Sequence, residues 1–142
     1  MNNNKILKTI FLSGCMSYYY NNAFPEKAQD WRNIATARLG DKFNIFNPCM
    51  NYYENIDYKP KGVVYQNIAY LNKSDIILLN LNHIEDSAGT LFETFASFLK
   101  HKTIVAFNDT PLLDQPHVHE AITMHFRDLN DACGYIENMY CQ

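Results

Sequence analysis

The chain has 142 residues, 47% of them hydrophobic and 19% charged, with a formal net charge of −3 at pH 7. That length makes about one domain, residues 1–142, able to bury roughly two thirds of its unfolded surface without disulfides or metal. A mildly acidic balance with no run of Lys or Arg excludes a polyanion partner such as nucleic acid, and no apolar run approaches the ~18 residues of a membrane span.

Small molecules are the partners this balance suits. The N-terminus, Met1-Asn2-Asn3-Asn4-Lys5, lacks the long apolar core of a signal peptide, so the expected location is the cytoplasm. Cys15, Cys49, Cys133 and Cys141 show no paired CxxC spacing and no dense framework. Reduced thiols are therefore expected, and neither a disulfide nor a metal site.

Residues 9–12 read as the first strand. It ends in Ser13-Gly14-Cys15-Met16-Ser17, a small-residue loop of the kind that admits a ligand against the backbone. Cys15 reads as a packing residue more readily than as a nucleophile, because no His or Arg stands beside it. Tyr18, Tyr19 and Tyr20 follow, either as a stacking wall for a planar ligand or as a lid or subunit contact. Pro25 and Gly40 bracket a helix through Ala28, Trp31, Ile34, Ala35 and Leu39. Trp31 falls on its apolar stripe and reads as core; Arg32 beside it reads as structural, either solvated or anchoring the next loop.

Residues 42–46 give the second strand, and residues 47–53 a loop at its carboxyl end. Residues 54–61 are polar. A helix over 63–71 turns Val64, Ile68 and Leu71 inward and carries Asn67 in its middle, where it reads equally well as an ordinary surface asparagine. Residues 76–79, Ile-Ile-Leu-Leu, form an unbroken apolar run, which suits a parallel strand covered on both faces. After it the polarity reverses through Asn80, Asn82, His83, Glu85, Asp86 and Ser87. Leu91, Phe92, Phe95, Ala96 and Leu99 then recur at helical spacing.

That seam is where function is expected, because parallel sheets place ligands beyond the carboxyl ends of their strands. Ser87 suits a helix N-cap, Gly89 lets backbone pass close to a ligand, and Thr90 offers a hydroxyl. Glu93 falls about one turn into the helix, where its positive end favours an ionised carboxylate facing the cleft. An ordinary first-turn glutamate would satisfy the same dipole. The joint presence of Ser87, Gly89, Thr90 and the Ser13-Gly14 loop on one rim favours the functional reading.

Residues 103–107 form the fourth strand, with Asn108-Asp109-Thr110-Pro111 as another rim loop. Pro116-His117-Val118-His119-Glu120 has ligand chemistry for zinc but no third convincing ligand, and surface histidines explain it better. Residues 122–126 read as the fifth strand and 129–139 as the closing helix. Five strands alternating with helices imply an α/β fold, a doubly wound, flavodoxin-like five-stranded parallel sheet with helices on both faces.

The segment Ser87-Ala88-Gly89-Thr90-Leu91-Phe92-Glu93, behind a strand introduced by Ser74-Asp75, resembles the signature of the nucleoside 2-deoxyribosyltransferase family and its 2′-deoxynucleoside 5′-monophosphate N-hydrolase relatives. The likeness extends to Ile10-Phe11-Leu12-Ser13-Gly14-Cys15-Met16, similar to the family's first strand and substrate loop, to Trp31-Arg32 and to Asn47-Pro48. It implies the same fold, Glu93 as nucleophile, and substrate contacts from Phe11, Ser13, Gly14, Cys15, Met16, Asn67, Ser87, Gly89 and Thr90. It also implies a homodimer or larger homo-oligomer, and neither cofactor nor metal.

Three positions depart from the transferase pattern. Phe11 stands where transferases have a tyrosine that orients the glutamate, and Asn67 where the family commonly has an aspartate, so that an amide replaces a group able to share a proton. Ser87 replaces an aspartate and leans toward the N-hydrolase branch, where a serine helps to line a 5′-phosphate site. The implied chemistry is cleavage of an N-glycosidic bond through a glycosyl-glutamate, with water or another base as acceptor. The alternative is a non-catalytic nucleotide-binding module in which Phe11 and Asn67 mark lost chemistry.

Overall fold

A computed structural model describes residues 6–51 and 60–141. Its strands are β1 (Thr9–Ser13), β2 (Asn44–Phe46), β3 (Ile76–Asn80), β4 (Thr103–Phe107) and β5 (Met124–Phe126). The helices are α1 (Ser17–Asn21), α2 (Pro25–Leu39), α3 (Pro60–Lys73), α4 (Ala88–Leu99), α5 (Pro116–Ala121) and α6 (Leu129–Tyr140). All strand pairs are parallel, in the order β2-β1-β3-β4-β5. Chain order reverses between β1 and β3, so the loops leaving these two neighbours part to opposite sides of the sheet and open a crevice at their carboxyl ends.

The alternation of strand side chains sorts the core into two layers. Ile10, Leu12, Ile76, Leu78, Val105 and Phe107 pack with Trp31, Ala35 and Leu39 of α2 and Ala132, Cys133 and Ile136 of α6. Phe11, Ile77, Leu79, Ile104 and Ala106 pack on the other face with Leu71 of α3 and Val118 and Ala121 of α5. Every residue of β3 is buried, as its unbroken apolar run requires of a central strand.

Several expected boundaries shift. The edge strands are shorter than their apolar runs: β2 begins at Asn44 and β5 at Met124, because each borders a single partner. Residues 17–21 form a one-turn helix where loop and aromatic wall were expected. The loop at 47–53 begins as a 3₁₀ turn over Pro48–Asn51, and its last residues lie outside the described ones.

Two helices also differ in which face they bury. Of the residues of α3 expected inward, Leu71 is buried and Ile68 half-buried, while Val64 is 50% exposed; Val63 and Asn67 are half-buried beside them. In α4 the fully buried positions are Thr90, Thr94 and Ser97, while Phe92 is 51% and Leu99 75% exposed. The buried hydroxyls are satisfied within the helix, Thr94 Oγ1 donating to the Thr90 carbonyl at 2.8 Å and Ser97 Oγ to the Glu93 carbonyl at 2.6 Å. This phase places Glu93 on the side of the helix that faces the sheet.

Candidate active site

Ser87 has extended backbone at the start of α4 (φ −131°, ψ 92°), and its Oγ accepts from the Thr90 N–H at 3.2 Å. The expected N-cap is therefore formed. The same oxygen lies 2.7 Å from Thr90 Oγ1, and both residues are buried. Thr90 was expected to offer its hydroxyl outward; here the hydroxyl belongs to the capping network. Gly89 is exposed, no described residue lies within 4 Å of a Cβ built on it, and its φ is not positive. Its surroundings are open, and no backbone strain demands a glycine.

Glu93 is partly buried, and Ser13 Oγ at the end of β1 donates to its Oε2 at 2.7 Å. The expectation of an exposed carboxylate kept ionised by the helix end is corrected by this setting. Burial raises its pKa from 4.5 to about 7, against the Ser13 hydrogen bond and the positive charge of Arg32, which both favour the anion. Loss of hydration outweighs both. At neutral pH the group is split between carboxylate and acid.

The loop that carries Ser13 is held from two sides. A Cβ on Gly14 would stand 2.9 Å from Trp31 Cζ2 and 3.2 Å from Asn80 Cβ, so close packing, and not ligand approach, accounts for this glycine. The Gly14 carbonyl accepts from Arg32 Nη2 at 3.0 Å. Cys15 is buried with Tyr19, Ala28 and Cys49, and its thiol is hydrogen bonded to Ser87. Burial pushes that thiol's pKa up, which accords with a packing role. Met16 is half-buried against the same cluster.

Tyr18 and His83 join the loops that follow β1 and β3. Their rings stack with centroids 3.9 Å apart and planes 12° from parallel, while Tyr19 meets the same imidazole edge-on at 5.5 Å. His83 takes left-handed backbone (φ 62°), a conformation that histidine adopts more readily than most non-glycine residues. Phe11 is fully buried, its ring 5.2 Å from that of Phe46. It presents no surface to a ligand, and on β1 the hydroxyl that reaches the glutamate comes from Ser13, two residues further on the same face. Asn67 is half-buried in α3, and its Oδ1 is buried without a hydrogen-bond partner among the described residues.

Arg32 is the residue whose importance the sequence understates. It is fully buried, and its guanidinium donates to the carbonyls of Ala28 (2.5 Å), Gly14 (3.0 Å) and Leu12 (3.5 Å). It neither meets solvent nor anchors the loop after its own helix; it braces the end of β1. Ala28, Trp31, Arg32, Ala35 and Leu39 are the buried positions of α2. A cation in the middle of such a stripe was the available signal.

The histidine segment is separate from this corner. His117 and His119 lie on exposed positions of α5, with His119 Nδ1 3.9 Å from Glu120 Oε1 and the His117 ring edge-on to Phe95 at 6.4 Å. A cavity of about 450 Å³ between α4 and α5 is lined by Phe95, Phe98, Leu99, Pro116, His117 and Glu120, none of them an expected site residue. His83, Glu85 and Asp86 bring ligand-type atoms within 4.8 Å of one another. Glu85 there accepts from Thr110 Oγ1 at 3.0 Å.

No family model matches the sequence, and no curated protein matches it. Solved structures do. A 2-deoxyribosyltransferase from Bacillus psychrosaccharolyticus superposes with a TM-score of 0.71 at 19% identity, covering 89% of this chain and 91% of that one. A 2-deoxyribosyltransferase from Leishmania mexicana gives 0.68 at 17% identity over 94% and 99%. A conserved protein from Enterococcus faecalis gives 0.64 at 13% identity over the same shares. At these identities the likeness establishes a shared fold. Among the described residues no helix is long and apolar enough to cross a membrane.

Proposed function

We propose that this chain, with the fold of the 2-deoxyribosyltransferases, cleaves the N-glycosidic bond of deoxynucleosides or their 5′-monophosphates through a glycosyl ester on Glu93. The observation that carries the reading is a half-buried carboxylate at the crevice between β1 and β3, held by Ser13 and poised at about pH 7. The two named neighbours of the same fold are deoxyribosyltransferases, which supports nucleosides as the substrate class.

In the first step a carboxylate oxygen of Glu93 forms a bond to the anomeric carbon while the C1′–N bond breaks, its electron pair leaving with the base, which takes a proton from solvent or a neighbouring side chain. In the second, water or another base attacks the same carbon, the ester C–O bond breaks, and Glu93 departs as carboxylate. Water gives hydrolysis and free sugar; a base gives transfer. Ser13 holds the attacking group in place through both steps and favours its charged form. Because Glu93 is only partly ionised at neutral pH, the attacking form is present without the cost of a wholly exposed, strongly hydrated anion.

Ser87 leans toward the monophosphate hydrolase branch through its likeness to the serine of that branch; against it, the first loop holds no Lys or Arg and the Ser87 and Thr90 hydroxyls bond to each other, so a 5′-phosphate would rely on backbone N–H groups at the start of α4. Homo-oligomeric assembly and a cytoplasmic setting belong to the same proposal. The test is to incubate the protein with deoxynucleosides and their 5′-monophosphates, with and without an added free base, and to identify products by chromatography. Free base and sugar phosphate from monophosphates alone would support the hydrolase. Binding without any product would leave the nucleotide-binding module as the reading.

A further inference from the structure

Ser13 at the end of β1 and the two residues that follow it are tied to α4, its cap and α2. Ser13 donates to Glu93 in the body of α4, the Cys15 thiol is hydrogen bonded to Ser87 at the cap of α4, and between them the Gly14 carbonyl accepts from Arg32 of α2. The side chain that restrains the middle of this loop is thus two links from the carboxylate: guanidinium to Gly14, Gly14 to Ser13, Ser13 to Glu93. Trp31 closes Gly14 from the same helix and stands under the cation, with Arg32 Cζ 4.6 Å from its ring centroid.

Arg32 is an expensive way to brace a loop. Its partners are three backbone carbonyls, and among the described residues no carboxylate lies within ion-pair distance of it. A buried cation without a contacting anion costs several kcal/mol relative to a well-packed apolar side chain. Burial lowers its pKa, but a guanidinium stays protonated in a protein. The groups whose charges it feels are Cys49, Glu93, Tyr20 and Cys15. Burial pushes both thiols up, toward the neutral form. Glu93 is the carboxylate in that set, and the groups acting on it are Ser13 and Arg32.

We propose that Arg32 is a positioning residue for Glu93: it fixes the Ser13-Gly14-Cys15 segment through the Gly14 carbonyl, and its buried positive charge favours the attacking form of Glu93 against the cost of burial. The inference rests on Glu93 being the reacting carboxylate. It assigns to α2, a helix that carries no substrate contact in the proposed mechanism, control over when the carboxylate can attack. The cation acts without touching Glu93, so the carboxylate is favoured as an anion yet not locked into a salt bridge that would blunt it as a nucleophile.

The experiment is a ¹³C titration of the Glu93 side-chain carboxyl in the native chain, Arg32→Lys and Arg32→Met, with folding of each checked by circular dichroism. The native midpoint lies near 7. Arg32→Met moves it upward, Arg32→Lys restores it toward the native value, and the acidic limb of the pH–activity profile moves with it. A folded Arg32→Met chain with an unmoved Glu93 midpoint would overturn the proposal, since a purely structural brace has no reason to change that titration only when charge is lost. If Arg32→Met fails to fold, the native chain still decides. The Arg32 Nε–H resonance shifts with the Glu93 midpoint, and the shift disappears in Glu93→Gln; an Arg32 signal that ignores this pH range would overturn the idea. Neither the carboxyl titration nor the Nε–H resonance uses substrate, so a wrong nucleoside assignment and a wrong role for Arg32 give different results.

Discussion

Ser13 Oγ and Glu93 Oε2, 80 residues apart in sequence, meet at 2.7 Å where β1 ends against α4. The bond ties the small-residue loop to the helix and gives a half-buried carboxylate a donor. A hydroxyl donor in this position favours the charged acceptor, and a hydrogen bond to a charged group contributes about 1.5 to 3 kcal/mol.

Ser13→Ala therefore raises the Glu93 pKa further above 7 and lowers kcat/KM at pH 6 by about tenfold or more, with a smaller loss at pH 9 where the carboxylate ionises regardless. Steady-state rates across that range check this. An equal loss at every pH would mean that Ser13 acts on substrate and not on the glutamate.

Glu93 also makes stability depend on pH. Its folded pKa, about 7, lies above the 4.5 of the free group, so the native state holds a proton that the unfolded chain releases first. The stability this contributes is fully present below pH 4.5 and is lost as pH rises through 7. The 2.5-unit difference corresponds to on the order of 3 kcal/mol. Glu93→Gln is accordingly more stable than the native chain at pH 8, with the gain shrinking toward pH 4.5. Urea unfolding at the two pH values reads it directly.

Ser87→Ala removes the N-cap of α4 and the side-chain partner of the Thr90 hydroxyl, at a cost of about 1 kcal/mol in stability. If the start of α4 receives a 5′-phosphate, the same change raises KM for monophosphates more than for nucleosides. Denaturant melts and paired kinetics separate the two effects. Equal kinetic losses on both substrates would count against a phosphate there.

Exhaustive chelation should leave activity unchanged, because in the proposed mechanism the carboxylate itself attacks and no Lewis acid starts the reaction. Loss of activity on chelation with recovery on adding zinc would move attention to His117 and His119, or to His83, Glu85 and Asp86.

The sheet and its helices were legible because β3 is an uninterrupted apolar run and the turns between elements carry their own chemistry. The N-cap at Ser87 was legible for the same reason. The phase of α4 was not: its aromatic residues outweigh its hydroxyls on any hydrophobicity count, yet Thr90, Thr94 and Ser97 are inside because each bonds within the helix. Glu93 was expected exposed and ionised because the helix end favours an anion, and the loss of hydration on burial outweighs that favour. Arg32 was read as structural, but its burial was not legible because a charged side chain is ordinarily solvated, and only its three carbonyl partners, two of them near the end of β1, make that burial tolerable. Gly14 was read as room for a ligand when Trp31 fills that room.

The central claim is that Glu93 becomes glycosylated. The most direct measurement is rapid quenching of the protein with a deoxynucleoside 5′-monophosphate, followed by intact-mass and peptide analysis. The account predicts an adduct of the sugar phosphate on the peptide that contains Glu93, formed with release of one base per chain and lost in Glu93→Gln. Undiminished base release by Glu93→Gln, with no adduct on the native chain, would contradict it.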